Sequence, residues 1–161
     1  MNISRPDKML LLCLTLFLAC APAVFGQGGI ELTSADIDRV EFKGLMPTKT
    51  EQRALVSFHV SDATKNRAKA AGQSLPQTIS VAINGQQKDA KFSSDQGSYS
   101  TEIRAERRLQ LDQSMSFTRK DTGVVAGPNG FYIEFGPCEG GCKSIIFRTR
   151  CIVCIKKFGW K

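Results

Sequence analysis

Apolar and polar side chains alternate along much of the chain after residue 50, as they do in β-strands that are buried on one face. In residues 53–61 (RALVSFHVS), every second side chain from Ala54 to Val60 is apolar, whereas His59 lies on the opposite face. Residues 78–83 repeat this pattern. Because the side chains of a strand point alternately to its two faces, each segment is predicted to be a strand with one buried face.

The strongest turn signal follows the second of these segments. Asn84-Gly85 is the residue pair that best supplies the positive φ angles of a two-residue hairpin turn. We therefore expect an antiparallel return strand through Ala90 and Phe92. Another turn signal at residues 95–98 precedes a further alternating segment, which begins at Tyr99.

Two more strands are indicated near the ends of this region. Val40 and Phe42 mark a short strand that ends at Gly44, and the turn sequence GPNG at residues 127–130 is followed by the alternating segment Phe131–Phe135. Strands separated by short turns favour an antiparallel architecture. The predicted fold is mostly β: an antiparallel β-sandwich or barrel-like domain with a disulfide-bonded C-terminal β-hairpin.

Only two segments favour a helix. Residues 62–71 (DATKNRAKAA) contain good helix formers, with Asp62 as the expected cap and Gly72 as the stop. The segment has few apolar residues, so we expect a surface helix or a loop. Residues 100–111 fit the periods of a helix and of a strand.

The first 26 residues have the composition of a secretory signal peptide. Arg5 and Lys8 supply a basic start, the apolar stretch 9–19 follows, and small residues lead to an expected cleavage before Gln27. The alternatives are an uncleaved membrane anchor and a lipoprotein acylated at Cys20. The strongly apolar stretch is shorter than the ~20 residues that span a bilayer, so we predict a secreted or periplasmic protein without a transmembrane segment after cleavage.

Basic residues are concentrated at the C-terminal end of the chain. Residues 138–161 contain six bases and one acid, a net charge of +5, whereas the full chain has a net charge of +7. Such an asymmetry indicates an anionic partner for this segment. The predicted binding residues are Lys143, Arg148, Arg150, Lys156, Lys157 and Lys161, together with the aromatic Trp160. We therefore divide the chain into a signal peptide (1–26), a β-sandwich-like domain (27–137) and a basic cysteine-rich hairpin (138–161).

All four cysteines outside the signal peptide lie in the basic segment: Cys138, Cys142, Cys151 and Cys154. In an exported chain they are expected to form two disulfides, with three possible connectivities. Two short cysteine pairs also describe a small zinc site, but here the spacer between them is short and oxidation would compete with metal binding. A redox-active pair of Cys151 and Cys154 is a third interpretation.

Strand geometry constrains how these cysteines pair. In an extended segment over residues 144–156, Cys151 and Cys154 would face opposite sides. The strand therefore ends or bulges between them, or the two sulfurs serve different bridges. We expect Phe131–Phe135 and residues 144–150 to form a hairpin across the Gly-rich turn.

The sequence offers little for catalysis. His59 is the only histidine, which excludes a metal site of several imidazoles, and a surface position is expected for it. Glu102 with Glu106, and Asp36 with Asp38, are spaced to share a face of one helix or strand, but no second signal supports either pair. We predict no catalytic residue, no metal and no cofactor.

These observations favour an exported, non-catalytic binding domain whose basic segment contacts an anionic surface, a glycan or an acidic protein. Nucleic acid is not expected as the partner. One alternative is a thiol-disulfide or zinc-binding module that uses Cys151 and Cys154. Another is a precursor of a cationic antimicrobial or toxin-like peptide, since the basic segment resembles β-hairpin antimicrobial peptides in composition and cysteine crowding.

Overall fold

A computed structural model of the chain describes residues 29–45, 52–104, 114–119, 122–127, 130–138 and 150–161. The predicted signal peptide lies outside these ranges. Five residues singled out from the sequence also lie outside them: Gln27, Glu106, Cys142, Lys143 and Arg148.

Nine strands and one α-helix make up most of the described chain. The strands are β1 (Ile37–Gly44), β2 (Arg53–Val60), β3 (Thr78–Ile83), β4 (Gln86–Ser93), β5 (Ser98–Arg104), β6 (Ser114–Thr118), β7 (Gly123–Ala126), β8 (Phe131–Phe135) and β9 (Val153–Trp160). The helix α1 is Asp62–Ala70, and a 3₁₀ turn at Ser34–Asp36 precedes β1.

The nine strands form one sheet in the order β6-β1-β2-β5-β4-β3-β9-β8-β7, which curls into a nearly closed barrel. Neighbouring strands are antiparallel except β3 and β9, which are parallel. The two edge strands of the sheet are β6 and β7. They come close together where the ring of Phe117 in β6 lies against Gly127, just after β7. The mostly β, barrel-like fold predicted from the alternating pattern is confirmed.

Aromatic side chains fill one end of the barrel. The rings of Phe42, Phe117, Phe131 and Phe158 are buried, and neighbouring rings have centroids 5.4–6.4 Å apart. These residues come from β1, β6, β8 and β9, which lie toward opposite ends of the sheet order. Each such ring buries about 150–250 Å². The barrel therefore closes here through side-chain packing.

The strongest sequence signals are confirmed in β2, β3 and β4. From Ala54 to Val60, every second side chain is no more than 1% exposed. Asn84 and Gly85, with φ angles of 51° and 74°, form the predicted turn between β3 and β4. Ala90 of the return strand is fully buried.

Helix α1 docks on the barrel through a narrow face that contains Thr64 and Ala68. Its N-cap is Ser61, whose hydroxyl oxygen accepts a hydrogen bond from the Thr64 backbone N–H at 3.2 Å. The predicted cap, Asp62, is therefore one residue too late. Gly72 has a φ angle of 63° and follows the helix end as predicted.

The C-terminal segment supplies an interior strand of the barrel. β9 lies between β3 and β8, and its antiparallel pairing with β8 runs from Phe131 opposite Trp160 to Phe135 opposite Ile155. Residues 144–149, which were predicted to pair with β8, lie outside the described residues; in the described part of the chain β8 pairs with β7 and β9.

Candidate functional site at the C-terminal strand

A β-bulge shapes the exposed surface of β9. Glu134 lies opposite Lys157, whereas the next residue of β8, Phe135, lies opposite Ile155, so Lys156 is the extra residue. The bulge shifts the alternation by one position. Ile155 and Phe158 consequently both face the core, and the two lysines between them are both exposed.

Four of the predicted binding residues lie along β9 and at its ends. Arg150, Lys156, Lys157 and Lys161 are all exposed, and we call them the C-terminal bases. The eight residues of β9 span about 26 Å at ~3.3 Å per residue, so the bases form a row and not one pocket. Trp160 is half-buried and packs edge-on against Phe131, with centroids 4.9 Å apart. Its indole ring therefore extends the aromatic core.

The C-terminal bases differ from several cations in the rest of the barrel. Arg67 pairs with Asp36 at 2.9 Å, and Arg53 pairs with Glu102 at 3.3 Å. Within the described ranges, no ion pair involves any of the C-terminal bases.

Disulfides fix the start of β9. Cys138 and Cys154 are bonded, with Cα atoms 5.3 Å apart, and Cys151 is also disulfide-bonded. This bond excludes two of the three connectivities for two bridges, and Cys142 lies outside the described residues. Cys151 and Cys154 thus serve different bridges, which is one of the solutions expected from strand geometry. Cysteines held in disulfides offer no thiolate to zinc.

A cleft of about 850 Å³ opens at the mouth of the barrel where β9 begins. One wall is the N-terminal segment at residues 30–34, and the other comes from the first residues of β3 and β9, the end of β8 and the Cys138–Cys154 bridge. Arg119 and Arg150 line the cleft, and Glu31 is the one acid among its described lining residues. Its lining hydroxyl groups belong to Thr33, Ser34, Thr78, Ser80 and Thr122.

The N-terminal wall is fastened by Asp36, which is only 5% exposed. Its carboxylate accepts hydrogen bonds from the Thr33 backbone N–H at 2.6 Å, the Thr33 hydroxyl at 2.9 Å, the Thr64 hydroxyl at 2.6 Å and the Arg67 guanidinium at 2.9 Å. Burial raises the pKa of Asp36, but these hydrogen bonds and the Arg67 charge outweigh burial and hold its pKa below the ordinary 3.8. The charged carboxylate therefore links the N-terminal segment to α1.

Arg119 is a cleft residue that sequence reasoning missed. Its backbone N–H donates to the Asp38 carbonyl at 2.8 Å, and its guanidinium donates to the Ile37 carbonyl at 3.3 Å. Both contacts depend on the pairing of β6 with β1, which joins residues far apart in sequence. No local motif distinguishes this arginine from the others in the chain.

His59 belongs to a polar network on the outer face of β1, β2 and β6. Its Nδ1 lies 3.2 Å from the Arg39 guanidinium and its Nε2 lies 3.1 Å from Glu41. Because a guanidinium only donates, the neutral tautomer with hydrogen on Nε2 satisfies both contacts. Burial raises the pKa of Glu41, but hydrogen bonds from Ser114 and His59 together have the larger effect in the opposite direction. The pKa of Glu41 therefore lies below the ordinary 4.5. Ser114 contacts the carboxylate and not the imidazole, so the network has no nucleophile–base contact.

Of the two carboxylate pairs considered from the sequence, one includes Glu106, which lies outside the described residues, and only Asp36 with Asp38 is described in full. Asp36 is buried in the 3₁₀ turn and Asp38 is exposed on β1, so the two do not share a strand face as predicted. Glu102 forms its ion pair with Arg53. No cluster of three or more His, Cys, Asp or Glu side chains in the described ranges could hold a metal ion.

Helix α1 has nine residues and is far too short to cross a membrane. No helix in the described part of the chain is both long enough and apolar enough to do so. Comparison of the chain with models of protein families, with curated proteins and with solved structures found no match.

Proposed function

We propose that this chain is an exported, non-catalytic binding domain that attaches to an anionic polymer, a sulfated glycan or an acidic protein segment, through the C-terminal bases. The observation that carries the proposal is that β9 has both buried apolar side chains and exposed basic side chains. The strand holds its apolar side chains in the core and presents lysines without ion-pair partners among the described residues.

The strand that carries these charges is rigidly held. β9 pairs with β3 on one side and β8 on the other, and its Val153, Ile155 and Phe158 are no more than 9% exposed. The Cys138–Cys154 bridge adds a covalent constraint at its start. Because the backbone is fixed before the partner arrives, binding loses little backbone entropy.

The geometry favours a polymer over a lipid bilayer. A row of cations about 26 Å long matches an extended chain with repeated negative charges. Stable attachment to a bilayer usually adds an apolar anchor. Val124 is the one large hydrophobic side chain that is exposed in the described ranges, and Trp160 is packed on Phe131.

The same features weigh against the two alternatives. Cys154 is bonded to Cys138 and not to Cys151, which leaves no redox pair between neighbouring cysteines. Release of the C-terminal segment as a peptide would remove the core residues of β9 from the barrel. A disulfide in this position is also what an oxidising compartment favours, in keeping with export.

A matched pair of triple variants tests the proposal on heparin oligosaccharides. Replacement of Lys156, Lys157 and Lys161 by Gln should weaken binding roughly tenfold at physiological salt, since each exposed charge pair is worth about 0.2–1 kcal/mol. Titration calorimetry of the disulfide-bonded protein measures this change. Binding should also weaken as salt is raised.

The control triple removes the same charge elsewhere. Lys43, Lys69 and Lys91 are exposed on β1, α1 and β4, and their replacement by Gln should leave heparin affinity within about twofold. Equal losses in the two triples would show that net charge alone drives binding and would overturn the proposal. Tighter binding to phosphatidylserine vesicles than to heparin would overturn the choice of a polymer.

A further inference from the structure

The cleft at the barrel mouth adjoins the C-terminal bases, since Arg150 lines it, but its walls have a different character. Inward-facing side chains of three strands line it: Ile79 of β3, Phe135 of β8 and Val153 of β9. Ile30 and Leu32 line it from the N-terminal segment. All five are at most 8% exposed. The cleft therefore combines an open mouth with an apolar floor.

Positive charge surrounds this apolar floor. Arg119 and Arg150 line the cleft, with Glu31 as the one described acid among the lining residues. The methylene groups of Lys156 lie against Gly136, which is also a cleft residue, so a third cation lies close by. Guanidinium groups bind carboxylates with paired N–H donors, and the attraction strengthens next to apolar walls.

The walls are built in advance of any ligand. Asp36 fastens the N-terminal segment to α1, and the Cys138–Cys154 bridge fixes the opposite side. The Tyr99 hydroxyl donates to the carbonyl of Pro76, a lining residue, at 2.7 Å. The volume of about 850 Å³ lies within the range of roughly 300–1,000 Å³ that is typical of small-molecule sites.

We infer that this cleft binds a small organic anion with an apolar body, of the class of medium-chain carboxylates. The carboxylate is placed at Arg150, and the hydrocarbon chain lies on the apolar floor. This ligand site differs from polymer binding in its use of the barrel mouth: Arg150 belongs to both sites, whereas Lys157 and Lys161 are not among the described residues that line the cleft.

Dodecanoate is a suitable probe, and its binding to the disulfide-bonded protein can be measured by titration calorimetry below its micelle concentration. Dodecyltrimethylammonium, which has the same chain and the opposite charge, should bind at least tenfold more weakly. Loss of one charge-assisted hydrogen bond typically costs tenfold or more in affinity, so Arg150→Gln should weaken dodecanoate binding by that factor. Thr78→Phe, which adds a ring at an exposed lining position on β3, should abolish binding.

Lys43→Gln removes one positive charge outside the cleft and should bind dodecanoate as the parent protein does. Thermal unfolding shows that each variant is folded. Equal binding of the two probes, or unchanged binding by both Arg150→Gln and Thr78→Phe, would overturn the inference. Because the lysine triple leaves both arginines in place, failure of heparin binding and failure of dodecanoate binding are separate results.

Discussion

Replacement of Asp36 is the most direct test of how the N-terminal segment is held on the barrel. The carboxylate accepts four hydrogen bonds, two on each oxygen. An Asn side chain has the same shape but one acceptor oxygen and one NH₂ group, which cannot accept. Asp36→Asn therefore turns a donor toward two of the four donors and also removes the charge that faces Arg67.

The expected cost follows from these contacts. A hydrogen bond to a charged group contributes about 1.5–3 kcal/mol. Thr64 can rotate its hydroxyl to accept, and Arg67 is 58% exposed and can turn to water, so part of the loss is recovered. We expect Asp36→Asn to lower the free energy of unfolding by about 2 kcal/mol, which is roughly 6–8 °C in Tm for a domain of this size.

Urea unfolding at pH 7 with the disulfides intact measures the effect. Asp62→Asn is the matched control, because Asp62 is 91% exposed and forms an i,i+3 ion pair with Lys65 at 3.0 Å. The control should lose less than about 1 kcal/mol. Equal stability of Asp36→Asn and the parent protein would refute the claim that the carboxylate fastens this segment.

The pH dependence gives a second readout on the same residue. The pKa of Asp36 is below 3.8 in the folded chain, so its ionised form is favoured by folding. Its contribution is present above pH 4 and is lost as pH falls through the folded pKa. The stability difference between the parent protein and Asp36→Asn should therefore narrow below about pH 4. A constant difference down to pH 2 would contradict the assignment.

Two further predictions concern the disulfides and the closure of the barrel. The double substitution Cys138→Ser with Cys154→Ser removes a bridge across 16 positions and should lower the free energy of unfolding, measured in urea, by about 2–3 kcal/mol. Peptide mapping of the native protein should recover Cys142 joined to Cys151. Any other pairing in the map would contradict the connectivity. Gly127→Ala would place its Cβ 2.6 Å from the Phe117 ring and should lower the free energy of unfolding by about 1–3 kcal/mol. Gly159→Ala, whose Cβ would have its nearest neighbour atom at 3.9 Å, should leave the stability unchanged or raise it slightly. Similar thermal unfolding of these two variants would show that the contact between Phe117 and Gly127 does not close the barrel.

Local signals in the sequence were sufficient for the central strands. The alternation in β2 and β3 and the Asn84-Gly85 turn need only neighbouring residues to be interpreted, and all three are confirmed. β6 and β7 were not predicted. β6 alternates over only five residues, with Met115 and Phe117 buried, and β7 has four residues that are largely exposed, so both signals are short.

The candidate sites depended on contacts that no local pattern encodes. Arg119 reaches the cleft because β6 pairs with β1, and Asp36 is held by residues of α1. The bulge at Lys156 does leave a trace in the sequence. The apolar positions shift from Val153 and Ile155 to Phe158, a break in alternation that a bulge or a strand end would each produce.

The place of β9 in the sheet has a consequence for the order in which the chain folds. Among the described strands, β7 and β8 join the rest of the sheet only through β9, and Val81 of β3 pairs with Val153 about 70 residues later. Pairings between such distant residues form slowly, because a long loop must close first. Because a chain is synthesised from its N-terminus, the edges of β3 and β8 that pair with β9 stay open until residues 153–160 have followed. Barrel assembly and presentation of the basic row are thus completed in the same late step.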